Sequence, residues 1–129
     1  MADASFSNDS WALASIALAH GDEGCDLRAI VAASDYLNHA ILSYPELAHA
    51  LALLHAAGCV EELNGRLALT GPAATWLASV RDLKPFKLPA AAGTFMAALQ
   101  APESEGDLPD IPWLTEERMR DARDAYVGG

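Results

Sequence analysis

Apolar positions recur at helical spacing along most of this chain, and a few punctuating residues interrupt them. The stretch NDSWALASIALAHG (8–21) predicts a first helix, with Asp9 or Ser10 as cap, Trp11 opening the apolar pattern and Gly21 closing it. DEGC (22–25) is a short loop. Asp26 then caps a second helix through LRAIVAASDYLNHA (27–40), where Leu27, Ile30, Val31, Ser34 and Leu37 share one stripe. ILSYPELAHALALLHAAG (41–58) opens with a capping box, Ser43 followed three residues later by Glu46. Pro45 falls in the first turn, where its missing N–H costs nothing, and Gly58 is the stop.

The period then changes. CVEELNGRLALT (59–70) places two short runs around Asn64-Gly65, a strong hairpin signal. Two registers fit. A two-residue turn sets Glu62 opposite Leu67, on the core side, whereas a three-residue bulged loop aligns Leu63 with Leu67. Thr70 is placed to cap a further helix, GPAATWLASVRD (71–82). Beyond it, LKPFKLP (83–89) reads as a connector and AAAGTFMAALQ (90–100) as a helix. APESEGDLPDIP (101–112) reads as an acidic loop, and LTEERMRDARDAYVGG (114–129) as a last helix capped by Thr115, with Glu116–Arg120 and Arg120–Asp124 at pairing distance along it. Trp113 and Leu114 look like an anchor that docks this tail. The domain division expected is a frayed 1–7, a domain at 8–82 and a helical extension at 83–129 that packs on the domain or on a partner.

The order helix, helix, helix, hairpin, helix over residues 9–82 resembles the winged helix-turn-helix fold. The segment SDYLNHAILSYPELAHALALLHAAGCVEELNGRLALT (34–70) is similar to the second helix, turn, recognition helix and wing of bacterial winged-helix proteins, and LALTGPA (67–73) is similar to the way such wings end. The resemblance implies a mainly α fold, a winged helix-turn-helix with a helical C-terminal extension, and a DNA-binding ancestry. It rests on fold alone and names no function.

Composition changes that picture. The chain has 129 residues and a formal net charge of −10, from 8 basic and 18 acidic residues. Such a body repels polyanions, and affinity for nucleic acid comes largely from cation–phosphate contacts. On the third helix, Leu47, Ala50, Leu51 and Leu54 form the core stripe. The opposite side carries Pro45, His49, Ala52 and Ala56, flanked by Ala48 and Leu53, where a DNA reader would carry Arg, Lys, Asn or Gln. Residues 1–80 hold two cations, Arg28 and Arg66, against nine acids. These six outer residues are therefore the candidate interaction surface for a protein partner or a second copy. The extension is the other candidate cover for the third helix, through Phe86, Leu88, Phe95, Met96 and Leu99. Arg66, Lys84 and Lys87 are the candidate wing or phosphate contacts, and Arg81, Lys84 and Lys87 together can equally meet an acidic partner surface.

No reaction is visible. There is no G-x-S-x-G elbow, HExxH or phosphate-cradling glycine loop, so no catalytic residue, cofactor or metal is assigned. His20, His39, His49 and His55 lack ligand spacing, and each reads as structural or solvent-facing. Asp35, Tyr36, Asn38 and His39 read as securing the turn between the second and third helices. Cys25 and Cys59 read as buried free thiols. The N-terminus lacks the pattern of a secretory signal and no stretch reaches the ~20 apolar residues of a membrane span, so a cytoplasmic location is expected. The preferred function is a non-enzymatic protein-interaction or regulatory module with lost or weak DNA binding. The alternatives are a DNA-binding transcription regulator acting as a dimer, and a small-ligand or metal sensor.

Overall fold

A computed structural model describes residues 8–63, 65–99 and 113–128. The expectations of a frayed 1–7 and of an acidic loop over 101–112 lie outside the described residues. In chain order the elements are α1 (Asn8–Ala19), α2 (Leu27–Asn38), α3 (Tyr44–Ala56), β1 (Val60–Leu63), β2 (Arg66–Leu69), α4 (Gly71–Ser79), a 3-10 turn (Pro85–Lys87), α5 (Leu88–Ala98) and α6 (Glu116–Gly128). The chain is mainly helical with one small antiparallel hairpin between helices, an order consistent with a winged-helix-like layout.

α1 is the central element. Every residue from Ser10 to Ile16 is buried, because α2, α3 and α5 all pack on it. Small residues make this possible: Ala12, Ala14 and Ser15 alternate with Trp11, Leu13 and Ile16. Gly93 of α5 comes so close that a Cβ there would sit 3.1 Å from the Ser10 hydroxyl. The buried polar groups are satisfied, as interiors require. Trp11 Nε1 donates to the Ser34 carbonyl at 3.1 Å, Ser15 Oγ to the Trp11 carbonyl at 2.8 Å, and Ser34 Oγ accepts from Leu42 N at 3.2 Å. Asn8 is already helical, so neither Asp9 nor Ser10 is the cap expected; Asp9 lies in the first turn and meets α3 instead.

The other starts follow local chemistry. Asp26 accepts from Ala29 N at 2.8 Å. Ser43 accepts from Glu46 N at 3.3 Å while the Glu46 carboxylate accepts from Ser43 N at 2.8 Å, a complete capping box. Thr115 accepts from Arg118 N at 3.1 Å. Thr70 departs from expectation. It occupies the position before α4, but its hydroxyl donates to the Gly58 carbonyl at 3.1 Å and caps nothing. That bond ties the end of α3 to the end of the hairpin.

The hairpin takes the two-residue register, with Glu62 opposite Leu67 and Leu63 opposite Arg66. Leu67 is buried, yet Glu62 is exposed. The reason is that β2 is the inner strand: Cys25 pairs with its other side, each of Cys25 N and Leu67 N donating to the other's carbonyl at 2.9 Å. β1 is the edge, and only Val60 reaches the core. Glu61 and Glu62 on that edge also discourage pairing with another chain.

The 3-10 turn leads directly into α5, which begins at Leu88 rather than at Ala90. Pro89 is tolerated there because the first turn of a helix has no use for its N–H. α5 starts beside Ala17 and Leu18 and passes Ser10 further on, so it runs back along α1. Phe95 stacks at a tilt on Trp76 of α4, with ring centroids 5.5 Å apart. α6 packs on α2. Its Glu116–Arg120 and Arg120–Asp124 spacings form no ion pair among the described residues. No helix is long and apolar enough to cross a membrane among those residues.

Candidate interaction site

The outer side of α3 is less open than the helical wheel suggests. Leu47, Ala50, Leu51 and Leu54 are fully buried, as their stripe implies. On the far side Pro45 and Ala56 are exposed, Ala48, His49 and Leu53 are half-buried, and Ala52 is buried. His49 Nδ1 lies 2.9 Å from the Asp9 carboxylate, so the first turn of α1 reaches the middle of this face. The face therefore has exposed ends and a partly covered centre. At its C-terminal end an apolar cleft of about 500 Å³ is lined by Ala56, Ala57, Pro72, Phe95, Ala98 and Leu99.

α5 brings Phe95 and Leu99 to that cleft, so part of the expected cover does reach the end of α3. Leu88 is buried beside α1. Phe86 is the exception: it stands 72% exposed on the 3-10 turn and covers nothing. Local geometry explains it, since the three-residue turn sends Leu88 inward and leaves Phe86 outside with Lys84 and Lys87.

The tail makes the more consequential contacts. Trp113 is 2% exposed, and its indole N–H donates to the Gly65 carbonyl, at the turn of the hairpin, at 2.9 Å. The Arg118 guanidinium lies over the same ring, 5.4 Å from its centroid. Leu114 and Met119 are buried, and the Tyr126 hydroxyl donates to Asp35 Oδ2 at 2.7 Å. That bond to a carboxylate holds the phenol protonated, raising its pKa, with smaller contributions from burial and from the Asp35 charge. The hairpin turn and α2 are thus both engaged by residues 113–128. A groove of about 180 Å³ remains between α6 and the start of α3, lined by Leu42, Ser43, Tyr44, Glu116, Met119, Arg120 and Arg123.

The candidate cations lie on two different segments of the chain. Arg66 is exposed on the hairpin beside Glu61 and Glu62, while Lys84 and Lys87 are exposed on the segment leading into α5. Sequence reasoning did not find the cavity beside that segment. It measures about 210 Å³ and is walled by Ala17, Leu18, Leu77, Val80, Leu83 and Leu88, with His20 and Arg81 also at its lining. The signal was present in RDLKPFK (81–87), where Leu83 and Phe86 alternate with three cations.

α2 ends on a backbone bond. His39 takes a left-handed conformation (φ 54°), and its backbone N–H donates to the Asp35 carbonyl at 2.7 Å. His20 has a definite role. Its Nε2 accepts from Leu69 N at 3.2 Å, which fastens the end of α1 to β2. Burial and the Arg81 charge lower its pKa from 6.5, against a backbone hydrogen bond at Gly21 that raises it. Because the fold holds the neutral imidazole, its contribution is present above about pH 6.5 and is lost as the pH falls through the lower folded-state value. Thermal unfolding followed from neutral pH to about pH 5 should show this loss. His20→Gln, which keeps an acceptor and does not titrate, should flatten the pH slope; an unchanged slope would assign it to other groups.

Neither thiol is poised for chemistry. Burial, helped by Asp26 and opposed by Arg66, pushes Cys25 up to about 12. Burial also raises Cys59, against a backbone hydrogen bond at Ala73. Both are free thiols kept protonated at neutral pH. No group of three or more His, Cys, Asp or Glu side chains is arranged to hold a metal among the described residues. Comparisons with family models, curated proteins and solved structures find no match to this chain.

Proposed function

We propose that this chain is a non-enzymatic winged-helix module that works through protein contacts, in a regulatory or scaffolding role, with little or no affinity for duplex DNA. The observation that carries the reading is the bond from Trp113 to Gly65. A winged-helix DNA reader presents its wing and its third helix to the duplex. Here the wing turn is held by the chain's own tail, and α6 lies on α2 with Glu116, Glu117, Asp121 and Asp124 among its side chains. α3 adds no lysine or arginine of its own. The exposed ends of its outer face, Pro45 and Ala56, with half-buried Ala48, His49 and Leu53, supply the surface for a partner protein or a second copy. A cytoplasmic location belongs to the same proposal.

One observation favours a second reading, a transcription regulator that binds DNA as a dimer. Arg120 and Arg123 of the tail line the groove at the start of α3, beside Ser43 and Tyr44. Two such arginines per protomer, doubled in a dimer, would approach the several phosphate contacts that a modest site uses.

Titration of the full chain with fluorescently labelled random duplex DNA at low salt separates the two. Protein-contact function predicts weak binding at most. Tight binding that collapses as salt is added, and that is lost in Arg120→Glu/Arg123→Glu, would replace the first reading with the second. Light scattering adds the homotypic arm. If copies meet through α3, Leu53→Asp should shift an associated species to monomer.

A further inference from the structure

The cavity beside residues 81–88 combines local positive charge with exposed apolar side chains. Three of the eight basic residues, Arg81, Lys84 and Lys87, fall within seven positions that contain one acid, Asp82. All three are exposed, and none forms an ion pair among the described residues. Between them stand two exposed apolar side chains, Leu83 and Phe86. Behind them lies the cavity of about 210 Å³ with walls from α1, α4 and the start of α5. An engineered apolar cavity of about 150 Å³ accepts benzene, so this one has room for a branched or aromatic side chain.

We propose that this pocket seats an acidic peptide segment of a partner protein, with one apolar side chain in the cavity between α1 and α4 and flanking carboxylates on Arg81, Lys84 and Lys87.

The charge distribution selects that occupant. At physiological salt, charges are screened beyond about 8 Å. A short peptide meets the local cations alone, whereas a duplex or an anionic membrane spans more of a chain whose net charge is −10. Arg81 lies close enough to His20 to depress its protonation, so the polar side of the cavity favours a carboxylate even with the imidazole neutral. The rim supplies what such a ligand needs beyond charge: Phe86 and Leu83 extend the apolar contact outside the cavity. The inference names a partner class for the protein-contact reading, and it rests on that reading while using a surface distant in sequence from α3.

The test is fluorescence anisotropy with the full chain and a fluorescein-labelled peptide of glutamate and aspartate around a single leucine. Binding is expected, and Lys84→Glu/Lys87→Glu should weaken it roughly tenfold or more, the scale of a few exposed ion pairs. Both lysines are exposed, so this variant should keep the parent circular dichroism and melting temperature. The matched charge change Arg120→Glu/Arg123→Glu on α6 should leave binding within about twofold. Leucine to alanine in the peptide, or Leu83→Asp in the protein, should also weaken it. No binding by the acidic peptide, equal weakening by the α6 variant, or equal affinity for a lysine-based peptide would overturn the proposal. So would duplex DNA or phosphatidylserine vesicles binding more tightly than the peptide through Lys84 and Lys87. Peptide failure with DNA still unbound sinks only this inference, whereas tight DNA binding sinks the broader reading.

Discussion

Replacing Trp113 with alanine is expected to destabilise the chain by about 3–5 kcal/mol, the range for truncating a buried tryptophan. The side chain makes three separable contributions. Its ring is almost wholly buried, worth about 1.5–3 kcal/mol. Its indole N–H satisfies the Gly65 carbonyl, worth about 1 kcal/mol net. Its face carries the guanidinium of the exposed Arg118, worth about 0.5–1 kcal/mol. Trp113→Phe keeps most of the burial and loses the hydrogen bond, so it should cost about 1–2 kcal/mol. Urea unfolding followed by circular dichroism gives the totals, and amide exchange over residues 116–128 shows where they fall. Both variants should unfold cooperatively at lower urea, with protection lost first in α6. An unchanged midpoint for the alanine variant would mean that α6 is an arm outside the cooperative unit, and it would remove the main support for the proposed function.

Trp113 also shows how far the sequence reading reached. A tryptophan and a leucine behind a proline, after a long acidic stretch, mark an anchor without naming its berth. The berth is a backbone carbonyl 48 residues earlier, and a carbonyl carries no side-chain signature. The starts of α2, α3 and α6 were legible because caps are local chemistry: Asp26, Ser43 with Glu46, and Thr115 act within three residues of themselves. Thr70 departs from the same logic: its hydroxyl donates to the Gly58 carbonyl, a long-range tie, and accepts nothing from the first turn of α4. The turn at Asn64-Gly65 was legible, but its register was open. What settles burial is that β2 is the inner strand, a fact contributed by Cys25 from 42 residues away. Phe86 is a candidate cover in the sequence because apolar residues usually are buried, and only the 3-10 turn reveals that it is exposed. Composition identified the missing cations on α3, whereas the cavity at 81–88 required the α1, α4 and α5 ends to be brought together.

The second large effect is expected at Gly24, which no pattern of the sequence singled out. Gly24 has φ +88°, and a Cβ there would lie 2.5 Å from the Leu67 carbonyl oxygen. Gly24→Ala therefore meets two separate obstacles. Left-handed backbone costs an L-residue about 1–2 kcal/mol. The clash is with backbone, which no rotamer change relieves, so the 24–25 segment must move away from β2. That movement opens the reciprocal pair of hydrogen bonds between Cys25 and Leu67, worth about 0.5–1.5 kcal/mol each. The sum is about 2–5 kcal/mol, a fall of several degrees or more in Tm for a chain of this size. Gly58→Ala is the control: its φ is +72° and a Cβ there meets nothing within 4 Å, so only the first cost applies. Differential scanning calorimetry on the two variants isolates the clash as their difference. If they lose the same stability, Cys25 does not pair with β2 in solution, and the hairpin is free to swing. If Gly24→Ala loses more, the hairpin is held on its inner side by Cys25, in addition to the bond from Trp113 at its turn. Under the proposed protein-contact function, a hairpin fixed at both places would be a rigid support for contacts made elsewhere on the chain and would have little freedom to adapt to a groove of DNA.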